Sequence, residues 1–92
     1  MVIIIGLISS KTTDQSKPIA DISVVKDKLI LMPLEGKWYY NDEPFNGYAK
    51  SYFSNVQIEQ ETPFYDGKRE GLHREWYSNG QLKKETNYSQ NR

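Results

Sequence analysis

The residues of this chain that could carry acid–base chemistry are few. His73 is the only histidine, and there is no cysteine. A histidine changes charge near neutral pH and can serve as a general base. However, no serine, cysteine or second histidine stands at a spacing that predicts a catalytic pair with it. We therefore predict no catalytic residue and no enzyme activity, and we interpret His73 as a strand side chain beside Thr86.

The acidic residues and the glycines do not predict a metal or a cofactor either. Glu59, Glu61 and Asp66 lack the regular oxygen-ligand spacing of a calcium loop, and a zinc site would need carboxylates in a motif that is not present. Neither phosphate-loop spacing nor a following helix accompanies the glycines Gly47, Gly67, Gly71 and Gly80. We predict that the acids are solvated strand and turn residues and that the glycines form turns.

The composition narrows the function further. A chain of 92 residues forms one small domain, and a domain of this size buries roughly 60–65% of its unfolded surface, so its core is thin. Twelve basic and twelve acidic side chains cancel to zero net charge. Nucleic acids and anionic membranes attract a basic excess. We therefore predict no nucleic-acid partner, and the charge gives no support for membrane association.

The elements that would position these residues are written as a repeat. Residues 47–68 and 71–92 align at an offset of 24, with identical pairs at Gly47/Gly71, Ser54/Ser78, Asn55/Asn79, Gln57/Gln81, Glu61/Glu85 and Thr62/Thr86. A fixed period in this range is typical of repeat architectures, and the high aromatic content favours strands. The pattern predicts an all-β fold, a single-layer antiparallel sheet of tandem β-hairpins, with strands near 36–40, 48–53, 57–64, 72–77 and 81–88.

The turn residues predict the register of each hairpin. Asn79-Gly80 is the signature of a two-residue type I′ turn, which would place Tyr77 opposite Leu82 and form cross-strand ion pairs between Arg74 and Glu85 and between Glu75 and Lys84. Val56 stands where the second hairpin has Gly80, and a β-branched residue resists positive φ. The first hairpin must therefore use a different turn or carry strain.

This register sorts the side chains onto two faces. One face alternates aromatics with charges, as a solvated face does, and carries Tyr48, Lys50, Tyr52, Glu59, Glu61, Leu72, Arg74, Trp76, Lys83 and Glu85. The other carries the aromatic set, defined here as Trp38, Tyr40, Phe53, Phe64, Tyr77 and Tyr88. These six residues either form the core of a small sheet or make a partner-binding surface, because aromatic residues dominate interface hot spots. We expect the N-terminal segment, a second copy or a partner to cover them.

The chain before the repeats divides into two parts. Residues 1–22 comprise the apolar run Val2–Ile8 and a polar linker, and residues 23–92 form the repeat domain. The apolar run is too short to span a bilayer and is either a strand or the remnant of a secretory signal, so the localisation stays open between cytoplasmic and exported. Ser23–Met32 predicts one or two strands, and at the same offset of 24 it indicates a decayed earlier repeat.

Over residues 36–92 the chain resembles a known family. The motifs that carry the resemblance are Pro44-Phe45-Asn46-Gly47, the pairs Tyr52-Phe53 and Trp76-Tyr77, Ser78-Asn79-Gly80-Gln81-Leu82-Lys83, and Tyr65-Asp66-Gly67-Lys68 followed by Gly71. They resemble the MORN-repeat variant of bacterial proteins of the YwqK type. Val56 departs from the turn glycine of that pattern, and Asn46 departs from its usual threonine.

The resemblance implies a non-enzymatic protein-binding module. Proteins of this type are described as antitoxins, which implies a protein partner, a cognate toxin, neutralised by direct contact with the aromatic set. The alternative is an exported or surface-associated structural repeat protein, since other MORN arrays serve as scaffolds.

Overall fold

The structure, a computed structural model, describes residues 17–92. The run Val2–Ile8, interpreted above as a strand or a signal remnant, lies outside the described residues. The described part contains nine strands and one 3-10 turn at Lys26–Lys28. The strands are β1 Ser23–Val25, β2 Ile30–Met32, β3 Lys37–Tyr40, β4 Glu43–Pro44, β5 Gly47–Tyr52, β6 Ile58–Tyr65, β7 Lys68–Arg69, β8 Gly71–Trp76 and β9 Leu82–Tyr88. The predicted all-β fold is confirmed.

The two repeats form two consecutive antiparallel hairpins, β5–β6 and β8–β9, within one sheet. The order of strands in this sheet is β1-β5-β6-β8-β9, with the short β7 paired to β6. Each predicted repeat strand lies within about one residue of the observed one. The prediction succeeds because alternating aromatic and polar residues between turn signals are a local property of the sequence.

The two hairpins share one turn geometry, but it is not the predicted two-residue turn. Val56 donates its backbone N–H to the carbonyl of Phe53 at 2.9 Å, and Gly80 donates in the same way to Tyr77. Each hairpin therefore has a three-residue loop whose last residue has positive φ, 64° at Val56 and 92° at Gly80. The sequence predicted that the first hairpin either uses a different turn from the second or carries strain. It uses the same turn, with Val56 at positive φ, so the prediction of strain is confirmed.

This turn adds a bulge that shifts the register next to it. Trp76 pairs with Leu82, not with the predicted Lys83, and Tyr52 pairs with Ile58. Glu59 and Lys83 are thus left without an opposite residue at equivalent places in the two hairpins. Beyond the bulge the predicted register is confirmed, with Arg74 opposite Glu85 and Glu75 opposite Lys84. Of these two pairs, Arg74–Glu85 forms the predicted ion pair, whereas the Glu75 carboxylate contacts His73 instead. A two-residue and a three-residue turn differ by one residue, which changes which side chains share a face near the turn.

Three two-residue turns lie at the strand ends away from the three-residue turns. Both central residues have positive φ, the type I′ pattern, in Asn41-Asp42, Asp66-Gly67 and Gln90-Asn91. The segment from Tyr65 to Gly71, expected to be a loop, is thus a tight hairpin. Gly67 donates its N–H to the carbonyl of Phe45 at 2.8 Å, and Asn91 donates to Arg69 at 2.9 Å. These bonds attach the last two turns to the residues just before the repeat that each one ends.

The segment before the repeats forms a second, smaller sheet. β2, β3 and β4 pair antiparallel, and β1 adds to the main sheet as a parallel neighbour of β5. Ser23–Met32 does contain two strands, as expected. The offset of 24 is wrong here, because it places a turn at the apolar strand β2, whereas the actual turn lies at 33–36. The proline at position 33 and Gly36, with a φ of 67°, supply the turn chemistry.

The core lies between the main sheet and this N-terminal segment. It consists of Leu29, Phe45, Ala49 and Phe64, with Val24, Trp38 and Tyr40 packed against it. Leu29 is 8% exposed and covers part of the face that the sequence left open. The predicted sheet of tandem hairpins is confirmed, and the N-terminal segment, predicted only as one or two strands, adds a second layer over part of it.

The strained turn leads to a stability prediction. Val56→Gly should raise the free energy of unfolding by about 1 kcal/mol, because glycine removes the cost of a β-branched residue at positive φ. Gly80→Val should lower it by about 1 kcal/mol or more; a Cβ there meets only the Gln57 Oε1 atom at 3.8 Å, so the cost is in the backbone. Urea unfolding measures both changes.

The matched control for Val56→Gly is Val25→Gly. Val25 is also an exposed valine, but its φ is −70°, so glycine there should only destabilise. If Val56→Gly lowered stability as Val25→Gly does, the first turn would not hold the geometry described here.

Candidate functional site

A groove runs between the main sheet and the N-terminal hairpin β2–β3. Its volume is about 620 Å³. Leu31 and Trp38 form one wall, Phe64 and His73 lie in the floor, and Tyr88 stands at one end. The floor side chains come from alternate residues of adjacent strands, which point to the same face of a sheet. The groove therefore combines aromatic walls with a polar, ionisable centre.

The polar centre is a line of three hydrogen-bonded side chains. The Thr62 Oγ1 atom lies 2.8 Å from His73 Nδ1, and His73 Nε2 lies 2.9 Å from Glu75 Oε2. An ionised Glu75 can only accept, so Nε2 carries the proton, and a neutral imidazole then accepts the Thr62 hydroxyl proton at Nδ1. His73 is 8% exposed and has both ring nitrogens satisfied.

This line has the order hydroxyl, imidazole, carboxylate that nucleophilic enzymes use. Thr62 is only 7% exposed, which leaves a substrate little access to its hydroxyl, and we interpret the line as a network that positions His73 and Glu75. His73 was predicted to lie beside Thr86, and the backbone pairing confirms this. The contacts of His73 with Thr62 and Glu75 were not predicted, because the hairpin pattern does not indicate how far β6 is shifted along β8.

The hydrogen bond from His73 sets the charge state of Glu75. It lowers the pKa of the Glu75 carboxyl below its ordinary value of 4.5, and Lys84 and Lys83 act in the same direction, while burial opposes them. The negative charge of Glu75 is thus stabilised by the hydrogen bond from His73 and by the neighbouring lysines Lys83 and Lys84.

The end of the groove is closed by an interlocked group of three residues. The Arg69 guanidinium lies over the Tyr88 ring at 4.5 Å, a cation–π contact. Arg69 also donates its backbone N–H to Asn91 Oδ1 at 2.8 Å, and Asn91 Nδ2 donates to the Gly36 carbonyl at 3.0 Å. Asn91 therefore ties the last two-residue turn to the turn of the N-terminal hairpin, which fixes the width of this end.

A second, smaller depression continues the groove towards the three-residue turns. Its volume is about 240 Å³, and Phe53, Tyr77 and Lys83 line it. Both depressions include Gln60 and Glu75 in their linings, so they adjoin, and the two together are called the concave surface. Lys83 Nζ lies 5.7 Å from the Tyr77 ring centre. The assignment of Lys83 and Glu59 to the charged face is thus wrong, because these are the two bulged residues, and both line the depression beside the aromatic residues.

Five members of the aromatic set lie along this concave surface. Trp38, Phe64 and Tyr88 line the groove, and Phe53 and Tyr77 line the smaller depression. Tyr40 does not line either one. It makes an edge-to-face contact with Phe45, with ring centres 5.9 Å apart, next to the core. Phe64 serves both purposes, since it is also a core residue.

The opposite face is the solvated one. Glu61 lies 3.8 Å from both Lys50 and Arg74, and Arg74 donates to Glu85 at 3.0 Å. Asp66, at the sheet edge, pairs with Lys37 at 3.0 Å. Of the three acids considered in the sequence, Glu61 and Asp66 are thus partners in separate ion pairs, while Glu59 lies 3.5 Å from the Ser51 hydroxyl. Within residues 17–92, no three histidine, aspartate or glutamate side chains converge as metal ligands.

Comparison with known proteins leaves the family open. No family model, curated protein or solved structure matches this chain. The resemblance to the MORN-repeat variant therefore stays a prediction. The part of the chain that the structure describes contains no helix long and apolar enough to cross a membrane.

The His73–Glu75 contact leads to a pH prediction. Because the folded-state pKa of Glu75 lies below its ordinary value of 4.5, its ionised form stabilises the fold above that pH, and the contribution is lost as the pH falls through the lower, folded-state value. Glu75→Gln should therefore lower the melting temperature at pH 7, and the difference from wild type should shrink below pH 4.5.

Melting curves between pH 3 and 7 test this prediction. Glu43→Gln is the matched control, because Glu43 is an exposed strand carboxylate that forms no ion pair among residues 17–92. A difference between Glu75→Gln and wild type that stays constant down to pH 3 would contradict the role given to this contact.

Proposed function

We propose that this protein is a non-enzymatic protein-binding module that holds an extended segment of a partner along its concave surface. The observation that carries the proposal is the continuity of the groove with the smaller depression through Gln60 and Glu75. This continuity joins two aromatic groups from opposite ends of the sheet into one surface, as a long ligand requires.

The dimensions suit an extended peptide. The surface follows β5 from Gly47, which pairs with Phe64, to Phe53 just beyond the strand. At about 3.4 Å per residue this distance is roughly 20 Å, the length of about six extended residues. Aromatic residues flanked by polar groups are the usual composition of interface hot spots.

The exposure of the side chains also supports binding. Tyr77 is 50% exposed and Leu31 is 43% exposed; Leu31 lines the groove and Tyr77 lines the smaller depression. Large apolar side chains that remain in a concavity, where a partner can exclude water from them, contribute more to association than isolated ones on a flat surface. The resemblance to YwqK-type antitoxins adds a partner class, namely a toxin protein bound and neutralised by direct contact.

Site-specific photo-crosslinking in cells tests the proposal. p-Benzoylphenylalanine is introduced at Leu31 in the groove and at Tyr77 in the smaller depression. Both variants should crosslink to the same protein, which mass spectrometry then identifies. Shared capture is expected because one extended partner segment would pass both positions.

Leu72 is the matched control position. It is 36% exposed, and it precedes His73 in β8, so alternation places it on the opposite, charged face. Crosslinks from Leu72 to the same protein, with none from Leu31 and Tyr77, would assign partner binding to the wrong face.

A further inference from the structure

We propose that the groove recognises a segment that places a carboxylate next to an apolar side chain: an aspartate, a glutamate or a free C-terminus beside a hydrophobic residue. This inference rests on the proposed function and specifies the chemistry of the partner. It is derived from the charges that line the groove, in contrast to those on the rest of the sheet.

The groove holds two cations that have no carboxylate partner within residues 17–92. Lys26 and Arg69 line it, and neither forms an ion pair with any residue of the part that the structure describes. On the charged face, by contrast, Lys50 and Arg74 both lie within ion-pair distance of Glu61. The groove cations therefore have the capacity to receive a carboxylate from outside.

Both cations are held in place by neutral groups. Lys26 Nζ donates to the side-chain oxygen of Gln60 at 3.1 Å. The Arg69 guanidinium is supported by the Tyr88 ring and by Asn91, whose carbonyl it reaches at 3.5 Å. Neutral acceptors orient a cation without cancelling its charge, so both groups keep a net attraction for an anion.

The one acid in the groove does not offset this attraction fully. Glu75 accepts a hydrogen bond from His73, and the nearby Lys83 and Lys84 further stabilise its charge. Two cations and one engaged carboxylate leave the lining with an excess of positive charge. A partner carboxylate would therefore meet complementary charge at this place, although the whole protein is neutral.

The apolar half of the ligand is specified by the walls. Leu31, Trp38 and Phe64 face the same groove as Lys26 and Arg69. An apolar side chain can pack among them while its neighbouring carboxylate reaches the cations. The combination favours an acidic–hydrophobic peptide over a nucleic acid, whose repeated phosphates need an extended basic surface.

A pair of small probes tests the inference on the full chain. 3-Phenylpropionate and 3-phenylpropionamide have the same shape and differ in charge, and each is titrated while ¹H–¹⁵N NMR spectra are recorded. The carboxylate should shift groove resonances, including the Trp38 indole N–H, and bind about tenfold more tightly than the amide. Equal affinities, or shifts confined to the charged face, would overturn the proposal.

A matched pair of lysine variants locates the charge. Lys26→Gln should weaken carboxylate binding about three- to fivefold, as for an exposed ion pair, and leave amide binding unchanged. Lys28→Gln, in the same 3-10 turn but outside the groove lining, should change neither. Equal losses from both variants would show only a general charge effect and contradict the inference.

The outcomes separate this inference from the proposed function. If a protein crosslinks from Leu31 and Tyr77 but binds the Lys26→Gln variant as tightly as wild type, the carboxylate preference alone is wrong. If the probes bind as expected and no protein crosslinks from the groove, the protein-binding function alone is wrong. If groove resonances shift with protein concentration in the absence of probe, a second copy of the chain occupies the groove, which also overturns the inference.

Discussion

The two-residue turns that follow β3, β6 and β9 are the constraint on which the rest of the structure depends. Both of their central residues hold positive φ, and in two of these turns the second one donates its N–H to a backbone carbonyl, from Gly67 to Phe45 and from Asn91 to Arg69. These bonds fix how far one hairpin is shifted along the next. That shift brings Thr62 within 2.8 Å of His73 and so creates the polar centre of the groove.

The groove exists because the second layer is incomplete. A domain of this size has few apolar residues for a core, and four buried ones form the cluster around Phe64. Leu29 and Trp38 cover the Phe64 end of the aromatic face, while Tyr77 at the other end remains half exposed. The groove lies between the covered and the uncovered parts, and its aromatic walls adjoin the cations Lys26 and Arg69 and the carboxylate of Glu75. The core and the proposed binding surface therefore share side chains, as Phe64 shows.

Next to the three-residue turns, a bulge changes which side chains line the candidate site. The bulge leaves Lys83 without a cross-strand partner and places it beside Tyr77, although strict alternation would send it to the charged face. Asn79-Gly80 signals a tight hairpin in either case, but it does not distinguish a two-residue from a three-residue loop. The strand pattern was thus predictable to within about one residue, whereas the side-chain faces next to the turns were not.

The sequence by itself determined the repeat, the hairpins and the charged face away from the turns, because turn chemistry and alternation act between residues close in the chain. It also placed His73 opposite Thr86 and indicated five of the aromatic residues that line the concave surface. Only the tertiary structure decided which of them form a groove, that the N-terminal segment covers part of the sheet, and that His73 joins Thr62 to Glu75. These features depend on packing between segments distant in the chain, which is set by the summed contacts of both layers and leaves no periodic signal in either segment.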